Sequence, residues 1–506
     1  LALAISGHAT THTNATCAIF WGMSARALEM LGLDLSAVGP EQGYHRWVRS
    51  LRRYRDLVDP HPGDKGRRLT PAEHQAELSA YSDEFRESRV ARGDRVVNAL
   101  LQASVLTLPP DVLASWTGNV AIDSTLVRAN DRFGTPTKRQ PTLCGLEANA
   151  AWYVRDGEHA PSDGQTFTTS DMRNGKVGWG WEGHLVTMCP NDPTRASNVP
   201  RLLLGMTMSK PSRKPAWNGT KALRAIVAGG FPANFCAGDL AYGKLPRPEN
   251  WALPLLELGY RKIFDVREND LGKHEFVGGL VLLETNLYCP SILSRPELVF
   301  AVRDHRVGPN RDGKDCISDQ ELDRRIEARR AFLAHRNGRT NADGSARLMC
   351  PAATNQATLD CPLRPQPEPV TPKEMEAAGR RIGLTVVQRS EVPALGERGK
   401  VCQGAGHETI RPDAAFPRGH QDLLFESPEW RAFYGTMRNI IEGTNGQLKD
   451  DRHAALAAPL RRPMRGQAMA ALATAILGAA MNLDQINRFL LRPVVPDSRG
   501  RMPVKQ

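Results

Sequence analysis

The chain has 506 residues, 41% of them hydrophobic and 24% charged, a balance that fits a soluble globular protein and excludes a disordered one. That length is too great for one ordinary core, so about two to four domains are expected. A net charge of +11 and a pI near 9.3 point to a polyanionic partner, nucleic acid first, with a merely solvated basic surface as the alternative.

Residues 1–115 read as a helical N-terminal region with a DNA-binding role open to it. "SARALEMLGL" and "GYHRWVRSLRRYRDLV" carry helical apolar spacing, and Thr70-Pro71 starts a further helix that ends before Pro109 and Pro110. Arg46, Arg49 and Arg53 share one helical face there, with Trp47 and Tyr54 close by, a pattern that suits phosphate contact or an ordinary exposed basic face. From residue 116 the pattern changes. "GNVAIDSTLV", "GWGWEGHLVTMC" and "RLLLGMTMS" are strand-like, "GTKALRAIVAGG" is a helix with a glycine stop, and "ANFCAGDLAYG" and "YRKIFDVRE" are further strands. This order predicts an α/β core with a mixed five-stranded sheet and flanking helices over 116–270.

Residues 271–425 read as an insertion, with five of the nine cysteines and Pro-rich stretches such as "CPLRPQPEPVTP". The core resumes over 426–492, and 493–506 is a tail. The apolar run "GQAMAALATAILGAAMNL" is bounded by Arg465 and Asp484 and reads as a packing helix rather than a membrane span. Cysteines without paired short spacing do not form a secreted disulfide framework, so a reducing, cytoplasmic setting is expected. Cys289, Cys350 and Cys361 each precede proline, and Cys402 follows them. Either they are buried free thiols or they hold a structural Zn²⁺. "GWGWEG" matches a dinucleotide-binding glycine pattern but runs into a strand instead of a helix, so no nucleotide cofactor is expected.

The stretch "YGTMRNIIEGTNGQLK" at 434–449 carries the chemistry. At 100° per residue, Arg438, Glu442, Asn445 and Lys449 fall on one stripe with Tyr434 at its edge, and Met437, Ile441 and Leu448 form an adjacent apolar stripe. Asp123 interrupts an apolar strand and Asp239 ends another. Two strand carboxylates and a helical glutamate suit a hard divalent cation. Gly443 and Gly446 cost the helix roughly 1 kcal/mol each, which space for a neighbouring backbone or nucleic acid would justify.

The order Asp123, Asp239, Glu442 resembles that of the DDE transposases with an RNase H-like core, and the helix resembles the YREK signature of insertion-sequence transposases. Arg438 and Glu442 have three residues between them and Glu442 and Lys449 have six, as in that signature. Tyr434 is separated from Arg438 by three residues instead of two. "GWEGHLVTM" is similar to the second strand of these enzymes and "RGQAMAALATAILGAAMNLDQI" to their closing helix. The resemblance covers roughly 116–270 and 426–492. It implies a DNA transposase in which Asp123, Asp239 and Glu442 bind two Mg²⁺, with Mn²⁺ able to substitute, for strand cleavage and strand transfer of an element's ends. It also implies that Tyr434, Arg438, Asn445 and Lys449 contact DNA, that the chain works as a homodimer on DNA without a membrane, and that it is associated with a bacterial nucleoid. An RNase H-like nuclease without strand transfer, or an inactive DNA-binding descendant, are the alternatives.

Overall fold

A computed structural model describes residues 11–36, 38–63, 65–131, 144–154, 177–195, 197–211, 215–243, 248–338, 345–353, 357–364, 371–373, 383–394, 398–403, 406–410, 419–450, 454–458, 461 and 465–491. The tail expected over 493–506 lies outside them. The longer helices are α1 (Pro40–Val58), α2 (Pro71–Ser79), α3 (Asp83–Val105), α4 (Pro215–Ala228), α5 (Asp319–Arg330), α6 (Pro428–Lys449) and α7 (Gln467–Leu490). The fold is mixed α/β. Two compact units divide the chain: residues 1–233 with 439–506, and residues 234–438. The cuts fall at 233/234 and inside α6, away from the 270/271 and 425/426 boundaries expected from composition.

In the first unit, β1 (Val120–Arg128), β2 (Ala151–Val154), β3 (Val177–Met188) and β4 (Leu203–Ser209) pair antiparallel. β3 is long enough that β1 runs along one edge while β2 and then β4 share the other. Asp123 faces Leu185 in the register of β1 with β3. The glycine-patterned "GWGWEG" lies inside β3, so no phosphate-cradling turn forms there. The short strand β2 was not anticipated: four residues carry too little periodicity to be read.

Helix α7 closes this unit. Among the described residues it is the one helix long and apolar enough to cross a membrane, and most of that apolar window is buried within the protein. Leu101 and Leu203 crowd the Cβ position of Gly478, so a side chain there would displace both. The buried Asn482 fixes the helix in register. Its amide donates to the Leu203 carbonyl (2.8 Å) and the Ser104 hydroxyl (2.9 Å), and its Oδ1 accepts from the Leu203 N–H (2.7 Å).

A charged cluster holds the helix start. Gly466 adopts φ +99°, a conformation glycine tolerates, and its N–H donates to Glu147 Oε1 (2.7 Å), while the Ala468 N–H reaches Asp59 Oδ2 (3.4 Å). Lys65 Nζ sits 3.4 Å from Glu147 and 3.8 Å from Asp59, and all three side chains are buried. Burial pushes both carboxyls above the usual range, with Lys65 opposing the shift.

In the second unit, β5 (Phe235–Ala237) and β6 (Arg261–Ile263) pair in parallel. β7 (His274–Val277), β8 (Leu280–Leu283) and β9 (Asn286–Tyr288) form a meander. The remaining strands are very short: β10 (His335–Arg336), β11 (Ala346–Met349) and β14 (His407–Ile410) form one sheet, and β12 (Leu359–Asp360) pairs with β13 (Thr385–Val386). Arg329 on α5 is fully buried. It pairs with Glu284 at 2.8 Å and donates to the Leu298 carbonyl at 2.7 Å, which satisfies a charge that burial would otherwise penalise.

Candidate active site

Ser427 starts α6. Its hydroxyl accepts from the Trp430 N–H (3.1 Å) and Pro428 takes the first helical position, a sequence-encoded cap. Met437, Ile441 and Leu448 are buried along the helix, so the stripe carrying Arg438, Glu442, Asn445 and Lys449 is set by which face packs. Glu442 is exposed and Lys449 half-buried.

In the first unit, Asn445 Nδ2 donates to Asp123 Oδ2 at 2.9 Å, joining residues 322 apart in sequence. Asn445 is 6% exposed and Asp123 half-buried. The strand acid is therefore fastened to the polar stripe of α6, three positions from Glu442 and four from Lys449 along that helix. Gly443 and Gly446 are exposed, and a Cβ on either meets nothing within 4 Å. Among the described residues, no packing requires these glycines. On the side of Gly443 the surface opens into a groove of ≈ 430 Å³ lined by Arg201, Thr444, Gln447, Gln485 and Phe489.

In the second unit, Asp239 follows β5, and its Oδ1 accepts from the Ala241 N–H at 2.9 Å. Asp265 occupies the equivalent position after β6, where it accepts from Arg306 (2.8 Å). Carboxylates beyond the carboxyl ends of parallel strands stand where α/β sheets bind ligands. Tyr434 stacks on Trp430 with ring centroids 4.7 Å apart. Burial drives its phenol far above the usual tyrosine range. Asp265 and Asp239 add to that shift, and Arg438 opposes it. Tyr434 thus lies within electrostatic reach of Asp265, Arg438 and Asp239. Asp265 was missed by the sequence reading, although "IFDV" repeats the strand-then-aspartate pattern that singled out Asp239.

Each unit contributes part of the expected acid set: Asp123 and Glu442 to the first, Asp239 to the second. Among the described residues no group of three or more His, Cys, Asp or Glu side chains is arranged to hold a metal ion. On α1, Arg46, Arg49 and Arg53 are exposed. No family model, no curated protein and no solved structure matches the chain.

Proposed function

We propose that the chain is a DDE-type DNA transposase with an RNase H-like core, in which Asp123, Asp239 and Glu442 form the acid set. The hydrogen bond from Asn445 to Asp123 carries most weight, because it ties the strand acid to the helical stripe of Glu442 and Lys449. The donor chemistry fits Mg²⁺ or Mn²⁺: three carboxylates offer hard oxygen ligands without sulfur or imidazole. Bound there, two such ions would lower the pKa of an attacking water and stabilise the leaving oxygen of a phosphodiester.

The chain's own groups supply the rest. Asn445 orients the Asp123 carboxylate. Lys449 and Arg438 bind phosphates beside the acids, Arg438 as a planar fork and Lys449 as a point charge. Tyr434 stacks on Trp430 with its phenol protonated. The exposed Gly443 and Gly446 leave the helix flank bare, so a sugar-phosphate strand can approach it closely. Two copies on DNA would bring two element ends together for strand transfer.

The deciding experiment pairs a gel shift with a nicking assay in Mg²⁺ for Asp239→Asn. The amide keeps the side-chain shape and removes a ligand charge, so binding is retained and nicking is lost. Nicking at parental rates overturns the assignment. Parental nicking without joining of the 3′ end to a target would instead make the protein an RNase H-like nuclease.

A further inference from the structure

The second unit gathers four cysteines from distant parts of the chain into one neighbourhood. Three of them open tight turns. The Ile292 N–H donates to the Cys289 carbonyl (3.1 Å), Ala353 to Cys350 (2.9 Å) and Arg364 to Cys361 (2.8 Å). Cys402 ends the single turn Lys400–Cys402, its N–H on the Gly399 carbonyl at 3.0 Å.

Backbone pairing sets these turns side by side. Tyr288 bridges Leu333, and the Cys289 N–H donates to the Phe332 carbonyl at 2.8 Å. Two residues beyond Leu333, His335 pairs with Met349, the neighbour of Cys350. The Cys350 N–H donates to the Gly406 carbonyl at 2.9 Å, four residues past Cys402. Arg364, three residues past Cys361, donates to the Gln403 carbonyl at 3.2 Å. The side chains follow the backbone. Cys289 lies within electrostatic reach of Cys350 and Cys402, Cys402 of Cys350 and Cys361, and Cys350 of Cys361.

Cys289, Cys350 and Cys361 are 4–6% exposed, and none of the nine cysteines is in a disulfide. Burial, then the neighbouring sulfurs, pushes the Cys289 thiol up to about 12 and Cys402 to about 11, so neither is a nucleophile at neutral pH. The Cys289 thiol donates to the Ser291 hydroxyl at 3.7 Å. The surrounding strands are two to four residues long.

We propose that Cys289, Cys350, Cys361 and Cys402 are the four ligands of a structural zinc ion that holds these loops together. Four thiolates saturate a tetrahedral Zn²⁺ and leave no open position, so the centre is structural. The sulfurs neighbour one another without being arranged as a metal site. Ligation requires side-chain rotation and the release of thiol protons, both of which zinc affinity can drive. The proposal is independent of the transposase assignment.

The test uses the full chain purified without chelator. Elemental analysis should find about one zinc per chain, and cobalt exchanged into the site should show thiolate charge-transfer bands with tetrahedral d–d absorption. Cys361→Ser and Cys402→Ser should each lower the zinc content to roughly 0.2 per chain or less, while Cys316→Ser, at an exposed cysteine of the same unit, should retain the ion. Because a ligand variant can fail to fold, the parent chain supplies a second measurement: chelation should lower its melting temperature by roughly 5 °C or more and added Zn²⁺ should restore it. A parent chain that holds no zinc, takes up no cobalt and melts at the same temperature with and without chelator overturns the proposal.

Discussion

The carboxylates of Asp59 and Glu147 and those of Asp123 and Glu442 belong to the same unit but meet opposite surroundings. The first pair is buried around Lys65 and receives backbone N–H groups from the start of α7. The second pair is half-buried and exposed respectively, and Asp123 is fastened by a side-chain amide. Burial makes a carboxylate's charge a structural obligation, because removing its partner strands that charge in low dielectric. An acid facing solvent keeps its charge at little cost and remains available to a ligand. The difference separates acids that hold the fold from acids that can do chemistry.

Glu442→Gln gives the largest expected effect. Cleavage should fall roughly 10³-fold or more, about 4 kcal/mol of barrier, with melting unchanged to within about 0.5 kcal/mol. A comparable loss of stability would put Glu442 with the structural acids. Lys65→Met should act the other way round. It leaves Asp59 and Glu147 buried without their cation and should destabilise the unit by about 3–5 kcal/mol, read as a lower melting temperature. A shift of less than about 1 kcal/mol would mean that water reaches the cluster.

Asp94 on α3 lies between these extremes. It is half-buried, accepts a hydrogen bond from the Thr207 hydroxyl (2.8 Å), and its desolvated carboxyl is pushed up to about 7. Its folded pKa exceeds its unfolded value near 4, so its contribution is full below about pH 4 and is lost as pH rises through 7. Asp94→Asn keeps an acceptor for Thr207 and cannot ionise. Its stability relative to the parent should therefore grow between pH 5 and pH 8 by about 1–2 kcal/mol, the residue's partial exposure discounting the full shift. Parallel stability curves across that range would place Asp94 among the solvated acids. The smallest effect is expected at Lys449→Ala: DNA affinity a few-fold lower and the slope of log K against log[salt] reduced by about 1. Equal slopes would mark Lys449 as an ordinary surface cation.

The sequence is most legible where a repeating pattern is long. The apolar runs of β1, β3 and β4, the glycine stop after α4, and the apolar stripes of α6 and α7 can all be read from the sequence pattern. So can the stripe that Asn445 shares with Glu442, because helix geometry fixes it without reference to the rest of the chain. That Asn445 meets Asp123 is a tertiary fact between residues 322 apart, and no local pattern encodes it. Asp59 and Lys65 lie in "DPHPGDK", which reads as a solvated turn, and Asp94 in "ARGDRVV" reads as a surface charge. Their burial depends on segments that arrive from elsewhere. Strands β10 to β13, with as few as two residues, fall below any detectable period.

The discontinuity of the first unit has a consequence for biosynthesis. Its N-terminal segment ends at residue 233, and the segment that closes it begins at 439. At ribosomal speeds of roughly 5–20 residues per second, the intervening residues take about 10–40 s to emerge. Throughout that interval Asp59 and Glu147 lack the amide donors of Gly466 and Ala468, and Leu203 lacks Asn482. The nascent chain must carry an unclosed apolar sheet face until α7 has emerged, and in that window it is a natural client for chaperones.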